Sequence, residues 1–345
     1  MLVILLENPP DFYEVCTMSV TEAHSITPPT AVYKAWGLLI LLALIWGSSF
    51  ALIKQSLTVF HPMQVASIRV LAASSVLLVI AFFAFAKISR KKWGLAFISG
   101  LLGVFIPSFL FPYAQTKLSP AVTGILNALT PIFTLLIAVL FFQQKAQPIK
   151  WLGMLIGFFG SALLTLASSG SGKFEFTWYP LLIMLATICY ALNGNISKTY
   201  MQGISSVYLT AMSQAFIAPF SLVVLLNSNI GAQWNAPEAS KIIEISWLAG
   251  TQLEARWFAL ICIVGLGIFG TAIAMIIFNK LVQIASVIFA SAVTYLIPLV
   301  ALGWEMLDGK FLTSTQMVCM LLIMMGVYLA NSKVKQATCL PKIEN

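Results

Sequence analysis

The sequence predicts an all-α, polytopic membrane protein of ten transmembrane helices arranged as two inverted five-helix repeats, and three observations carry that prediction. Of 345 residues, 60% are hydrophobic and only 9% charged, far more apolar surface than a soluble domain of this length buries. Apolar runs near the length that crosses a bilayer recur along the chain, separated by short basic clusters. One local pattern occurs twice, 144 residues apart: WGSSFALIK, from Trp46 to Lys54, and YALNGNISK, from Tyr190 to Lys198.

Taken in order, the apolar runs place spans at 36–57, 63–86, 93–116, 121–142, 149–168, 178–199, 207–227, 257–280, 284–305 and 313–331. Each is bounded by charged or turn-forming residues, and most connections are short. The exception is 228–256, whose Glu238, Lys241, Glu244, Glu254 and Arg256 mark it as an excursion outside the membrane. The segment 1–34 reads as a cytoplasmic, proline-punctuated N-terminal tail. It lacks the basic start of a secretory signal, and Met18 offers an alternative initiation site. The segment 333–345 is read as a cytoplasmic C-terminal tail.

Charge fixes the expected orientation. With the N-terminus inside, twelve basic residues fall on the cytoplasmic side and five on the other, with Lys54 and Arg69 at span ends. Both termini are therefore expected in the cytoplasm, in a multi-pass protein of the cell (inner) membrane. The formal charge of +8 follows this inside-positive pattern, so no nucleic-acid partner is expected. Five cysteines form no CxxC pair, and three lie in apolar runs where cysteine packs as a small hydrophobe. No metal and no cofactor is expected.

An odd number of spans per repeat forces the second copy to enter the membrane from the opposite side. Lys54 then closes span 1 at the outer face, and Lys198 closes span 6 at the inner face. Span 4, around Pro131, aligns with span 9, around Pro298, at an offset of 167. The long 228–256 excursion accounts for the difference from 144. The repeats are expected at 35–170 and 178–332, and inverted repeats of this kind are a transporter signature.

Two glycine patterns point elsewhere and are set aside. Gly265, Gly267 and Gly270 spell GxGxxG, but inside an apolar span with no preceding strand, which excludes a dinucleotide fold. Gly153, Gly157 and Gly160 in span 5 predict close helix contact within the bundle.

The polar residues in apolar runs are the candidate site. Lys54 and Arg69 are cations near the outer ends of spans. They either snorkel to the interface or line a vestibule that attracts acidic groups. Trp46, Tyr113, Asn127, Tyr190, Asn193, Gln214 and Tyr295 either hydrogen bond between helices or share a mixed aromatic and polar cavity. Lys198 mirrors Lys54 at the inner mouth. Glu305, the one carboxylate bordering a span, either pairs with a basic neighbour or serves in gating or coupling. Pro131 and Pro298 free backbone carbonyls at corresponding depths, as packing kinks or as part of a site.

Several blocks together resemble the EamA-like drug/metabolite transporter superfamily: WGSSFALIK in span 1, SIRVL around Arg69, SPAVTGILNALTPIFTLLIAVLFF in span 4 and YLIPLVALGWEMLDG in span 9. The resemblance covers about 36–331. It implies a ten-helix protein with two inverted repeats, a central cavity and movement of small metabolites, often outward. Where such proteins carry a glutamate shortly after span 4, this chain has Gln143, Gln144 and Lys145, so no acidic role is carried over there.

The expected function is a secondary transporter of small organic metabolites, amino-acid-like or otherwise zwitterionic or anionic, drugs among them. Alternating access in export or exchange is the expected mechanism, and no Walker motif is present for direct use of ATP. The expected partners are a small-molecule solute and the lipid bilayer, with the chain a monomer or a homodimer. The alternatives are an intramembrane enzyme, for which the spans hold no nucleophile and base set, and a non-transporting scaffold or receptor.

Overall fold

The structure is a computed structural model, and it describes residues 29–118, 120–168, 178–245, 251–307 and 313–331. Helices occupy nearly all of them. Seven are long and apolar enough to cross a bilayer, and three shorter apolar helices lie at Pro148–Leu164, Val287–Val300 and Ser314–Ala330. Together they account for the ten expected spans. Large apolar side chains such as Leu78, Val79 and Phe82 are 66–78% exposed along span 2, which in a bilayer places them against lipid.

Span 1 is Pro29–Ser56 and span 2 is Pro62–Lys87. The turn between them is fixed by local chemistry: the His61 side chain accepts from Met63 N, Gln64 Oε1 accepts from His61 N, and Pro62 stands at the first helical position, where its missing N–H costs nothing. Span 3 is not one α-helix but Trp93–Gly100, a π-helical turn at Leu101–Phe105, and Ile106–Gln115. Span 4 is broken into Pro120–Asn127 and Thr130–Phe142. Span 5 is Pro148–Ser168, span 6 Tyr179–Tyr200 and span 7 Ser206–Leu226.

The second copy repeats these irregularities. Span 8 is Ala255–Gly267, a π-helical turn at Ile268–Ile273, and Ala274–Ile284. Span 9 is broken into Val287–Ser291 and Val293–Leu307, and span 10 is Ser314–Asn331. Both the π-turns, starting at Leu101 and Ile268, and the broken spans, starting at Pro120 and Val287, are offset by 167. That is the offset read from Pro131 and Pro298. Pro131 sits in the first turn after the break, and Pro298 lies inside its helix.

Contacts fix the directions. Along span 1, Trp36 packs edge-on against Phe289, Trp46 Nε1 donates to Gly270 O, and Ser56 Oγ lies 3.5 Å from Ala259 O. Span 1 therefore runs antiparallel to span 8. The end of span 6 lies with the end of span 8, where Lys198 Nζ donates to Val282 O at 2.9 Å. The start of span 6 lies with the end of span 3, where Tyr179 stacks on Tyr113 and Lys54 Nζ donates to Gln115 O. Spans 1 and 6 thus cross in opposite directions, as an inverted repeat requires.

The two copies interlock rather than standing side by side. Span 1 packs on span 9, and its counterpart span 6 packs on span 4; span 5 packs on span 10, and span 2 on span 7. Spans 5 and 10 approach so closely that a Cβ on Gly153 would meet the Gly326–Ala330 backbone and one on Gly326 would meet the Gly157 backbone, while a Cβ on Gly157 would meet the Tyr295 ring of span 9; this is the close helix contact the glycine spacing predicts.

The 228–256 excursion departs from an all-helical expectation. It forms a short helix at Ile230–Trp234, a 3-10 turn at Pro237–Ser240, and an antiparallel ribbon pairing Ile242–Ile245 with Thr251–Glu254. It rests on the loop between spans 1 and 2: Gln233 Nε2 donates to Val59 O, and Phe60 packs against Trp234.

Candidate functional site

A central cavity lies where the broken spans meet. It holds about 690 Å³ of space not filled by atoms, its open mouth included. Span 1 contributes Trp46, Ser49, Phe50 and Ile53; span 2, Arg69; span 3, Phe111; and span 4, Asn127, Thr130 and Thr134. From the second copy come Tyr190 and Asn193 of span 6, Met275 and Phe278 of span 8, and Ser291, Val293, Thr294 and Ile297 of span 9. A smaller lobe of about 220 Å³ adjoins it between the two π-turns, touching Gly103, Val104, Ser108, Gly270 and Thr271. Trp46, Arg69, Tyr190 and Met275 border both lobes.

Aromatic rings form the wall. Tyr190 is flanked by Trp46, with centroids 6.5 Å apart and planes 20° apart, and by Phe111 at 6.1 Å and 29°. Trp46 also meets Phe278 at 5.8 Å. Its indole is held in place because Nε1 donates to Gly270 O at 3.0 Å in the span 8 π-turn. A π-turn shifts the helical hydrogen-bond register locally and leaves carbonyls for such side-chain donors.

Arg69 is the charged centre of the cavity. It lies in the second turn of span 2 and is 8% exposed, facing inward rather than snorkelling to the interface. Gly267 makes this possible: a Cβ there would meet Arg69 O and Ala72 Cβ, so span 8 closes onto span 2 at this level. Arg69 Nε donates to Thr271 Oγ1 at 2.7 Å. Among the described residues no carboxylate pairs with it; the one ion pair is Arg256 with Glu254, in the excursion.

The other expected residues divide. Asn127 and Asn193 line the cavity with Trp46, Arg69 and Tyr190. Gln214 is buried beside Ser74, away from the cavity, and Tyr295 is a core residue whose hydroxyl donates to Met154 O at 2.9 Å. Tyr113 is 38% exposed and stacks on Tyr179 at the Lys54 end of the bundle. Lys54 and Lys198 lie at opposite ends. Lys54 Nζ donates to Gln115 O at 3.2 Å, whereas Lys198 Nζ reaches Val282 O, Gln283 O and Ala285 O at 2.9, 3.4 and 3.4 Å. Each lysine caps the C-terminal end of the π-turn span of its own repeat, where a cation is favoured. Pro131 and Pro298 are both buried. The side chain of Glu305 lies outside the described residues.

Several cavity residues carried no sequence signal. Ser49, Thr130, Thr134, Ser291 and Met275 are uncharged and of types common in apolar spans, so the run of residues does not mark which of them line the cavity. The repeat was the usable signal, because Ser49 is the counterpart of Asn193 at the 144 offset.

Comparison with known proteins bears on what this cavity does. Residues 34–166 and 177–332 each match the EamA-like transporter family. The chain is 25% identical over 300 residues to the uncharacterized inner membrane transporter YedA of Escherichia coli K12, covering 85% of this chain and 89% of that protein. It is 24% identical over 306 residues to the uncharacterized transporter YvbV of Bacillus subtilis, covering 86% and 92%. An uncharacterized transporter of Archaeoglobus fulgidus is 25% identical over 178 residues, 52% of this chain and 62% of that protein. One solved crystal structure superposes with a TM-score of 0.61 at 18% identity, over 86% of this chain and 96% of that one, which shows the fold. With both halves matched and a cavity between interlocked inverted repeats, the chain belongs to the EamA-like transporter family and is a multi-pass membrane transporter.

Proposed function

We propose that the chain moves small anionic or zwitterionic organic solutes, amino-acid-like compounds among them, through the central cavity by alternating access, in export or exchange. The observation that carries this reading is Arg69. A guanidinium removed from water without a counter-charge is costly by several kcal/mol, and here no described carboxylate offsets it. A solute carboxylate or phosphate entering the cavity supplies that charge. The aromatic wall of Trp46, Tyr190 and Phe111 takes up the solute's apolar part.

Alternating access is supported by the paired irregularities. Spans 3 and 8 bend at their π-turns, and spans 4 and 9 are interrupted beside the cavity. Interrupted helices at a central site are the elements that rocking transporters move. Lys54 at one mouth and Lys198 at the other hold the two π-turn spans to their own repeats. Their unequal engagement, with one carbonyl against three, fits a conformation closed more tightly at the Lys198 end. Both termini lie in the cytoplasm in this reading, which puts the Lys54 mouth outside.

The test is solute counterflow in proteoliposomes. Preloaded acidic or zwitterionic solute should drive uptake of the labelled compound, and Arg69→Gln should lower it about a hundredfold, as loss of one partner of a buried charge pair does. Counterflow confined to cationic solutes, or unaffected by Arg69→Gln, contradicts the proposal.

A further inference from the structure

We infer that the membrane-facing seam between spans 3 and 7 binds an anionic phospholipid, with the headgroup phosphate on the basic turn joining spans 2 and 3 and an acyl chain along the rings that line the seam. The site lies at the Lys198 end of the bundle, which is the inner leaflet when both termini are cytoplasmic. None of its residues borders the cavity, and the inference does not depend on the transport reading.

The chain places Lys87, Arg90, Lys91 and Lys92 within six positions. The last three form a single 3-10 turn, and Lys87, Arg90 and Lys91 are exposed. Among the described residues none of the four is in an ion pair, and no Asp or Glu occurs from 23 to 174. The corresponding connection of the second repeat shows what is missing. There Arg256 lies over the Trp234 ring at 5.4 Å, and its charge is met by Glu254 at 2.6 Å. Here Arg90 lies over the Trp93 ring at 5.8 Å, and Trp93 Nε1 donates to Ile88 O at 3.0 Å, which ties the indole to the turn. The cation and the ring are in place, and the anion has to come from outside the described chain.

Beyond the turn, spans 3 and 7 are in backbone contact. Ser213 Oγ donates to Ala96 O at 2.9 Å, and a Cβ on Gly100 would lie 2.6 Å from Ser213 O. Aromatic rings follow this seam: Trp93 meets Phe216 at 6.4 Å, Phe97 meets both Phe216 and Phe220 at 6.0 Å, and Phe220 meets Phe105 at 6.3 Å. None of these residues is buried, and Phe220 is 51% exposed, so the rings are open to the hydrocarbon of a bilayer. From Trp93 to Phe105 the helix rises about 18 Å at 1.5 Å per residue. That is a little more than half of a hydrocarbon core about 30 Å thick, the reach of one acyl chain.

These features together select a ligand. The inside-positive rule explains basic residues in a cytoplasmic connection, but not their position at the head of a ring-lined seam. A soluble anion would use the turn and leave the rings unused, and a zwitterionic lipid would bring its own cation to four others. An anionic phospholipid fits both parts, with its phosphate at the depth of an interfacial tryptophan and its chain along the rings. Each basic side chain beside an anionic headgroup surface is worth about fivefold in affinity.

The experiment counts lipids retained by the full chain in native mass spectrometry, from detergent micelles holding equal amounts of phosphatidylglycerol and phosphatidylcholine with the same acyl chains. Wild type should retain phosphatidylglycerol in preference by about tenfold or more. Arg90→Gln with Lys91→Gln should remove the preference. Lys145→Gln with Lys150→Gln takes the same charge from the connection between spans 4 and 5 and should keep it. Phe220→Ala should lower retention of phosphatidylglycerol severalfold. Equal retention of the two lipids in wild type, a preference that survives Arg90→Gln with Lys91→Gln or is lost equally in the Lys145 and Lys150 control, or retention untouched by Phe220→Ala overturns the inference. Displacement of phosphatidylglycerol by inorganic phosphate, or by an added peptide of residues 1–22 with its Glu7, Asp11, Glu14 and Glu22, overturns it as well, because the turn then serves a soluble anion or the N-terminal segment. Folding of each variant is checked by its thermal unfolding in detergent, and no outcome bears on whether a solute is carried.

Discussion

Trp46 and Tyr190 occupy equivalent positions in the two repeats, 144 residues apart, and their rings stack on each other at 6.5 Å beside the cavity. Elements that cross the membrane in opposite directions thus meet through repeat-related residues. The local symmetry is imperfect in an informative way. Trp46 is anchored to the span 8 π-turn through Gly270 O, with Gly270 offset by 167 from Gly103. Asn193, on the span of Tyr190, faces Gly103 instead.

The stack should be measurable as a coupling. In a double-mutant cycle, Trp46→Ala and Tyr190→Ala are each expected to reduce counterflow more than tenfold. Their interaction energy should be about 0.5–1.5 kcal/mol, the range of aromatic pairs. Purely additive effects would show that the rings act independently.

The two lysines should act in opposition. Lys54→Met releases the end of span 3 and Lys198→Met the end of span 8, so the first should expose the cavity more at the Lys54 mouth and the second at the Lys198 mouth. Lys198→Met should have the larger effect, since it removes contacts to three carbonyls rather than one. Labelling of cysteines placed at the two mouths reads this out, and shifts in the same direction would contradict the assignment.

Glycine substitutions separate packing from open space. Gly326→Leu drives a side chain into Gly157 and Gly153 of span 5, whereas a Cβ on Gly265 meets nothing within 4 Å. The first should destabilise the protein by about 1–3 kcal/mol, as overpacking does, and Gly265→Ala should leave unfolding in detergent unchanged.

Tyr295 distinguishes a core residue from a site residue. Tyr295→Phe loses the hydrogen bond to Met154 O and should cost about 0.5–1.5 kcal/mol of stability. The affinity for solute should be unchanged, because the ring lies outside the cavity lining. A raised KM with unaltered stability would reverse that division.

Much of this architecture was legible in the chain. Hydropathy gives the spans because lipid leaves few alternatives to apolar helices of a set length, and the Trp46/Tyr190 and Pro131/Pro298 pairs give two offsets that the coordinates extend to the π-turns and the helix breaks. The π-turns themselves leave no trace in an apolar pattern, since they change hydrogen bonding and not hydrophobicity. Arg69 was legible as a cation at a span end that either snorkels or lines a vestibule; which of the two holds turns on the approach of span 8 permitted by Gly267, nearly 200 positions away. Gln214 and Tyr295 show the converse. Interhelical hydrogen bonds take up the Gln214 Oε1, which accepts from Ser74 Oγ, and the Tyr295 hydroxyl, which donates to Met154 O.

Under the proposed transport cycle one cavity opens alternately to the two faces of the membrane, and Thr134, on its wall, is placed to report both openings. In a background freed of the five native cysteines, Thr134→Cys would be treated with a membrane-impermeant thiol reagent in right-side-out and in inside-out vesicles. The account predicts labelling from both faces, slowed in each case by transported solute. Labelling from one face alone, or from neither, would contradict it.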